Sequence, residues 1–166
     1  MKKLVTCGEM KNLDSATIHK IGVASEVLME RAALKVVEET EKYLEKNEKI
    51  LVVCGNGNNG GDGIAIARLF YLKGIRAEFY MVGNKEKMTR ETTLQYKIAT
   101  GYHVPEVNNP DWSEYTTIVD AVFGVGLARP IEGHYAKIIH EMNSARAKKI
   151  AVDIPSGVNG DTGLEM

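Results

Sequence analysis

Short apolar runs alternate with longer amphipathic stretches along the chain. "KILVVC" at 49–54 is apolar after its lysine and stops at glycine, the pattern of a strand buried on both faces of a parallel sheet. "RAEFYMV", "TTIVDAVFG" and "KKIAVDIPSG" repeat it further along. Between these runs the apolar positions fall at helical spacing. A capping box, "TCGE", opens the first helix: Thr6 can accept from the Glu9 N–H while Glu9 reaches back, and Gly22 ends the segment. Ser25 reads as the N-cap of a longer helix with Leu28, Ala32, Val36, Val37, Thr40 and Leu44 on its apolar side. "DGIAIARLFYLKG" predicts a helix with Ile64, Ala67, Phe70 and Tyr71 inward and Gly74 as its stop. Thr89–Thr100, closed by Gly101, and "HYAKIIHEMNSAR" predict two more.

Strands alternating with helices in this way make β-α-β units. The expected fold is α/β: a doubly wound, three-layer α/β/α sandwich, Rossmann-like, with a mostly parallel sheet. Ligands in such sheets sit beyond the carboxyl ends of the strands. Three loops leave those ends here: Gly55–Asp62, Gly124–Arg129 and Pro155–Gly163.

The first of these, within "CGNGNNGGDG", satisfies the dinucleotide fingerprint G-x-G-x-x-G with Gly55, Gly57 and Gly60. It fails two tests of context. The carboxylate that should bind ribose at the end of the next strand is missing, since that strand ends "MVGNK" with Glu78 in its middle. Asp62 is expected in the first turn of the following helix, where it would repel a phosphate. The loop offers side-chain oxygens instead, from Asn56, Asn58, Asn59 and Asp62, which suit a hard, weakly polarising cation or a set of hydroxyls. For Asn56 a plain turn role suffices.

Asp120 and Asp153 lie at or near strand ends, where an ionised carboxylate is costly unless paired or ligated. Ser156 follows Pro155, whose bond to Ile154 can be cis, and its hydroxyl or carbonyl can join them. Arg129 reads equally as a phosphate ligand or a surface side chain. Lys85 reads as a solvated loop lysine before a contact for a 2′-phosphate. His19, His134 and His140 fall in predicted helices and His103 in a short extended segment; none has metal-ligand spacing. No G-x-S-x-G, Walker lysine or H-E-x-x-H occurs, so hydrolase, NTPase and zinc-enzyme readings have no support.

Composition narrows the field further. The 166 residues fit one domain, and 44% apolar with 26% charged residues argues against disorder. Twenty-one basic against 22 acidic residues leave a net charge of -1, with no basic block to attract nucleic acid. No apolar run spans a bilayer, and "MKKLVTCGEM" has lysines without the apolar stretch of a secretory signal. A cytoplasmic chain is expected, with Cys7 and Cys54 as isolated small thiols.

"EMKNLDSATIHKIGVASEVLMERAA", "VVCGNGNNGGDGIAIARLF", "IVDAVFGVGLARP" and "AVDIPSGVNGDTG" together resemble, in order and spacing, the YjeF N-terminal-domain family of NAD(P)HX epimerases. The resemblance runs from about Thr6 to the last residues and treats 1–166 as a single domain of that type. It implies isomerase activity: interconversion of the R and S forms of hydrated NADH and NADPH, so that a companion dehydratase can restore the cofactor. It implies that Asn58, Asn59, Gly60, Gly61 and Asp62 contact the hydrated dinucleotide. Gly124, Val125, Gly126, Leu127, Ala128, Arg129 and Pro130 would wrap its phosphates, and Asp153 would meet the nicotinamide end. Asn59, Asp120 and Ser156 would hold one potassium ion per subunit. Asp153 is the first candidate for the acid–base group and Asp62 the second. A homodimer is expected, acting alongside an NAD(P)HX dehydratase, with no nucleic acid and no membrane. Family members continue past "DIPSG…DTG", so the sheet is expected to look truncated on its C-terminal side, its last strand an edge, and no dehydratase domain is expected. A catalytically inactive ligand-binding or scaffold relative is the competing reading, and an NAD(P)-dependent oxidoreductase the weaker one.

Overall fold

A computed structural model describes residues 4–166; the N-terminal Met-Lys-Lys, and with it the two lysines weighed above, lies outside the described residues. Four strands form one parallel sheet: β1 (Lys49–Cys54), β2 (Arg76–Met81), β3 (Thr117–Ala121) and β4 (Lys148–Ala151), in the order β2-β1-β3-β4. The chain leaves β1 toward β2 on one side and returns to build β3 and β4 on the other. The order therefore reverses between β1 and β3, and the crevice of a doubly wound sheet opens there.

Two-sided burial of β1 is what its unbroken apolar run requires. Ile50, Val52 and Cys54 face one core, and Leu51 and Val53 face the other; all five are fully buried. The first core is covered by α2 (Ser25–Glu41), α3 (Asn58–Leu72) and α4 (Arg90–Gly101) through Ala33, Val37, Ile64, Phe70 and Ala99. The second is covered by α5 (Gly133–Ser144) through Ile138 and Met142. Each large side chain so enclosed contributes roughly 1.5–3 kcal/mol. The three layers are those expected.

α1 (Cys7–Ala16) starts on the predicted box: Thr6 Oγ1 accepts from the Glu9 N–H and Glu9 accepts from the Thr6 N–H. It runs into a π-helical turn, Thr17–Ile21, and stops at Gly22 with φ 89°. No α1 residue is buried, so packing of its own apolar face does little to hold it.

Several local expectations are corrected. α2 is capped by Ala24, while the Ser25 hydroxyl donates to Glu91. Its buried residues are Met29, Ala33, Val37 and Thr40, with Val36 and Leu44 packed half-buried against the same core; Ala32 is exposed on a cavity and Leu28 is half-buried. Tyr71 turns outward at 37% exposure, a helical step beyond Phe70. Gly101 stays within α4, and His103, at φ 57°, makes the left-handed turn that frees the chain, so it is not extended. The Ile154–Pro155 bond is trans. β4 lies at the sheet edge, where the exposed lysines Lys148 and Lys149 guard it. Among the described residues no helix is long and apolar enough to cross a membrane.

Candidate functional site

α3 begins at Asn58, earlier than the glycine-rich sequence suggests. The turn before it is fixed from outside. The Gly55 N–H donates to the Ala121 carbonyl at the end of β3, Thr92 Oγ1 donates to the Gly57 carbonyl, and the Thr89 N–H donates to the Asn56 carbonyl. Gly60 then lies so close to Gly55 that a Cβ would stand 1.8 Å from its carbonyl oxygen. Asp62 is therefore the fifth residue of α3, a turn inside the helix. No side chain caps α3, which leaves first-turn N–H groups at Asn58 and Asn59 open to an acceptor.

The second and third loops are joined by carboxylates. Asp120, buried at the end of β3, accepts from the Ser156 N–H (2.7 Å), the Ser156 hydroxyl (2.6 Å) and the Val122 N–H (3.2 Å). Ser156 Oγ in turn accepts from the Phe123 N–H at 2.8 Å. Burial pushes the Asp120 carboxyl up, against the pull of those hydrogen bonds. Asp153 lies two residues past β4 and its Oδ2 accepts from the Val125 N–H at 2.8 Å. Gly124 admits that carboxylate: a Cβ there would stand 2.4 Å from Asp153 Oδ2.

All three loops wall one cavity of about 1030 Å³, at the upper end of ordinary small-molecule sites. Asn58, Asn59, Asp62, Gly124 to Arg129 and Asp153 line it. Gly60 and Gly61 do not; they pack inward, on Gly55 and on Met29 and Thr92. Pro130 lies in an adjoining depression. Asp120 and Ser156 sit behind the wall, buried. Lys85 is engaged elsewhere, by Glu106 at 2.6 Å and the Tyr96 hydroxyl.

Within the cavity, burial first, and then the charges of Asp153 and Asp14, push the Asp62 carboxyl up from 3.8 to about 7. A group so placed carries or gives up a proton near neutral pH, which is what general acid–base work requires.

A cation fits behind the wall by the nature of the donors. Asn59, Asp120 and Ser156 offer an amide, one carboxylate and a hydroxyl, all hard oxygen donors with a single formal charge. The buried Asn59 side-chain nitrogen has no hydrogen-bond partner, and the amide turned over would present its oxygen at that point. Among the described residues no group of three or more His, Cys, Asp or Glu is placed to hold a metal.

The fourth wall comes from α1 and was not foreseen. Cys7, Met10, Lys11 and Asp14, at the i, i+3, i+4, i+7 spacing of one helix face, look into the cavity. α1 is tied down where the Cys7 N–H donates to Asp161 Oδ1 at 2.8 Å and the Cys7 sulfur rests on Gly160, which in turn meets Val125. Desolvation and the bond to Asp161 push the Cys7 thiol up; Cys7 is half-buried and Cys54 buried, the unpaired small thiols expected. The spacing 7, 10, 11, 14 was legible; that it faced a cavity was not.

A family model described as "YjeF-related protein N-terminus" matches residues 25–166. A curated protein from Oenococcus oeni named NAD(P)H-hydrate epimerase is 50% identical over 161 residues, 96% of this chain and 77% of that one. One of the same name from Lentilactobacillus buchneri is 44% identical over 166 residues, 98% of this chain and 77% of that one. The crystal structure of the yeast protein ynu0, YNL200c, superposes with a TM-score of 0.87 at 25% identity, covering 99% of this chain and 75% of that one.

Proposed function

Since the chain belongs to the YjeF-related N-terminal family, we propose that it is an isomerase that interconverts the R and S forms of hydrated NADH and NADPH. The observation that carries this reading is the meeting of all three strand-end loops on one cavity that also holds the Asp62 carboxyl.

Inverting the hydroxyl-bearing ring carbon passes through a planar or ring-opened species, and either route needs a proton delivered and recovered beside that carbon. We assign this to Asp62, whose carboxyl titrates near neutrality. Asp153, the first candidate from the sequence, is given the supporting role: it holds the Val125 N–H and so shapes the Gly124–Pro130 loop around the phosphates. Arg129, exposed on the cavity wall, supplies that loop's cation. Asn58 and Asn59 offer N–H and amide groups to the nicotinamide end.

Asn59, Asp120 and Ser156 would hold one potassium ion per subunit, which when bound neutralises the buried Asp120 charge. We further propose a homodimer that covers the exposed Leu13, Ile21, Val27 and Leu34, readable as molecular mass in solution. A cytoplasmic setting beside an NAD(P)HX dehydratase suits two unpaired cysteines.

Proton NMR of an R/S mixture of NADPHX, with added dehydratase removing the S form, tests the reading. Rapid consumption of the R form in potassium buffer is expected, with a loss of about 100-fold or more in Asp62→Asn and a smaller one when choline replaces potassium. Consumption at the spontaneous rate by folded wild-type protein would return the scaffold reading to the front.

A further inference from the structure

The end of β2 lacks the carboxylate that dinucleotide sites use for ribose, and the structure leaves no acid of that strand free to serve. Glu78 accepts from the Tyr115 hydroxyl at 2.7 Å and lies 3.7 Å from Lys49. The residues after β2 are Val82, Gly83, Asn84 and Lys85, and Lys85 is engaged by Glu106. Hydrated NADH nonetheless brings two ribose diols and hydrated NADPH one, on the nicotinamide ribose, and a carboxylate is the usual acceptor for such a pair of hydroxyls.

We propose that Asp14, on α1, supplies that missing carboxylate and accepts the hydroxyls of the ribose attached to the reacting nicotinamide ring. The assignment rests on the epimerase reading. Asp14 lines the same cavity as Asp62 and Asp153, from α1. It shares its helix face with Cys7, Met10 and Lys11, all of which line that cavity. Among the described residues its carboxylate makes no hydrogen bond and no ion pair, even with Lys11 one turn earlier, so it is available to a ligand. Its charge reaches Asp62, which places it by the reacting end. The adenosine ribose, beyond the phosphates, is out of its reach in that arrangement.

The test compares wild type with Asp14→Asn and Asp14→Ala on two substrates: NADPHX, and hydrated reduced nicotinamide mononucleotide, which lacks the adenosine half. The expected result is a KM raised about 10- to 100-fold on both substrates, the range for losing hydrogen bonds to a charged acceptor, with kcat kept. The melting temperature should not fall, because Asp14 has no protein partner to lose. A penalty seen only on the full dinucleotide places Asp14 at the adenosine half and overturns the assignment. So does a fall in kcat at constant KM, which means it acts through the proton on Asp62, and so does no change at all. Wild-type protein inactive on both substrates overturns the epimerase reading first, before any variant is measured.

Discussion

At the scale of single residues, Asp62 sets activity against stability. In the unfolded chain its carboxyl titrates near 3.8 and in the folded protein near 7, so between those values the folded state binds the extra proton. Stability contributed by the neutral form is full below about 4 and is lost as the pH rises through about 7. Asp62→Asn removes that loss. Thermal melts should therefore show the variant gaining about 1–2 kcal/mol on wild type between pH 4 and pH 8, after allowing for the part of the side chain that water reaches. A gap that stays constant with pH would show that Asp62 is not held protonated. Asp120 follows the same direction, with three hydrogen bonds from Ser156 and Val122 pulling against its burial. The two acids look alike as strand-end or loop-end aspartates in the sequence; what separates them is how many donors the fold turns toward each.

At the scale of elements, the junction of β1 and α3 depends on close backbone approach. Gly60→Ala would set a methyl against the Gly55 carbonyl, and neither backbone can retreat, because Gly55 is bonded to Ala121. Urea unfolding should show a loss of about 3 kcal/mol or more, at the top of the overpacking range. Gly57→Ala is the contrast: nothing lies within 4 Å of its added Cβ and its φ is ordinary, so the change should stay within about 0.5 kcal/mol. Equal effects would mean that both glycines serve only as flexible links. The four strands were readable, because a run such as "KILVVC" has one physical use, burial on both faces. The start of α3 was not, because glycine and asparagine carry loop chemistry and only Thr92 and Ala121, distant in sequence, hold that turn in helical register. Of the site, Asn58, Asn59, Asp62, Gly124 and Asp153 were readable from their loops. Asp14 was not, since a polar residue on an amphipathic helix gives no sign of what it faces.

At the scale of the whole molecule, cohesion falls from the centre of the sheet outward. β1 and β3 are fenced on both edges and buried on both faces, β4 has one open edge, and α1 buries nothing. Amide hydrogen exchange should follow that order: slowest in β1 and β3, faster in β4, and fastest among the helices in α1, which can open without disturbing the core. Protection of α1 equal to that of α3 in the protein alone would contradict it. The bond from Cys7 to Asp161 joins residues 154 positions apart. On a ribosome adding ~5–20 residues each second, the second partner emerges roughly 8–30 s after the first. By the end of that interval the nascent chain has its apolar strands and Asp62, with α1 still untethered beside them. A chain stalled before Asp161 is therefore a folded core whose binding wall has nothing to fasten to.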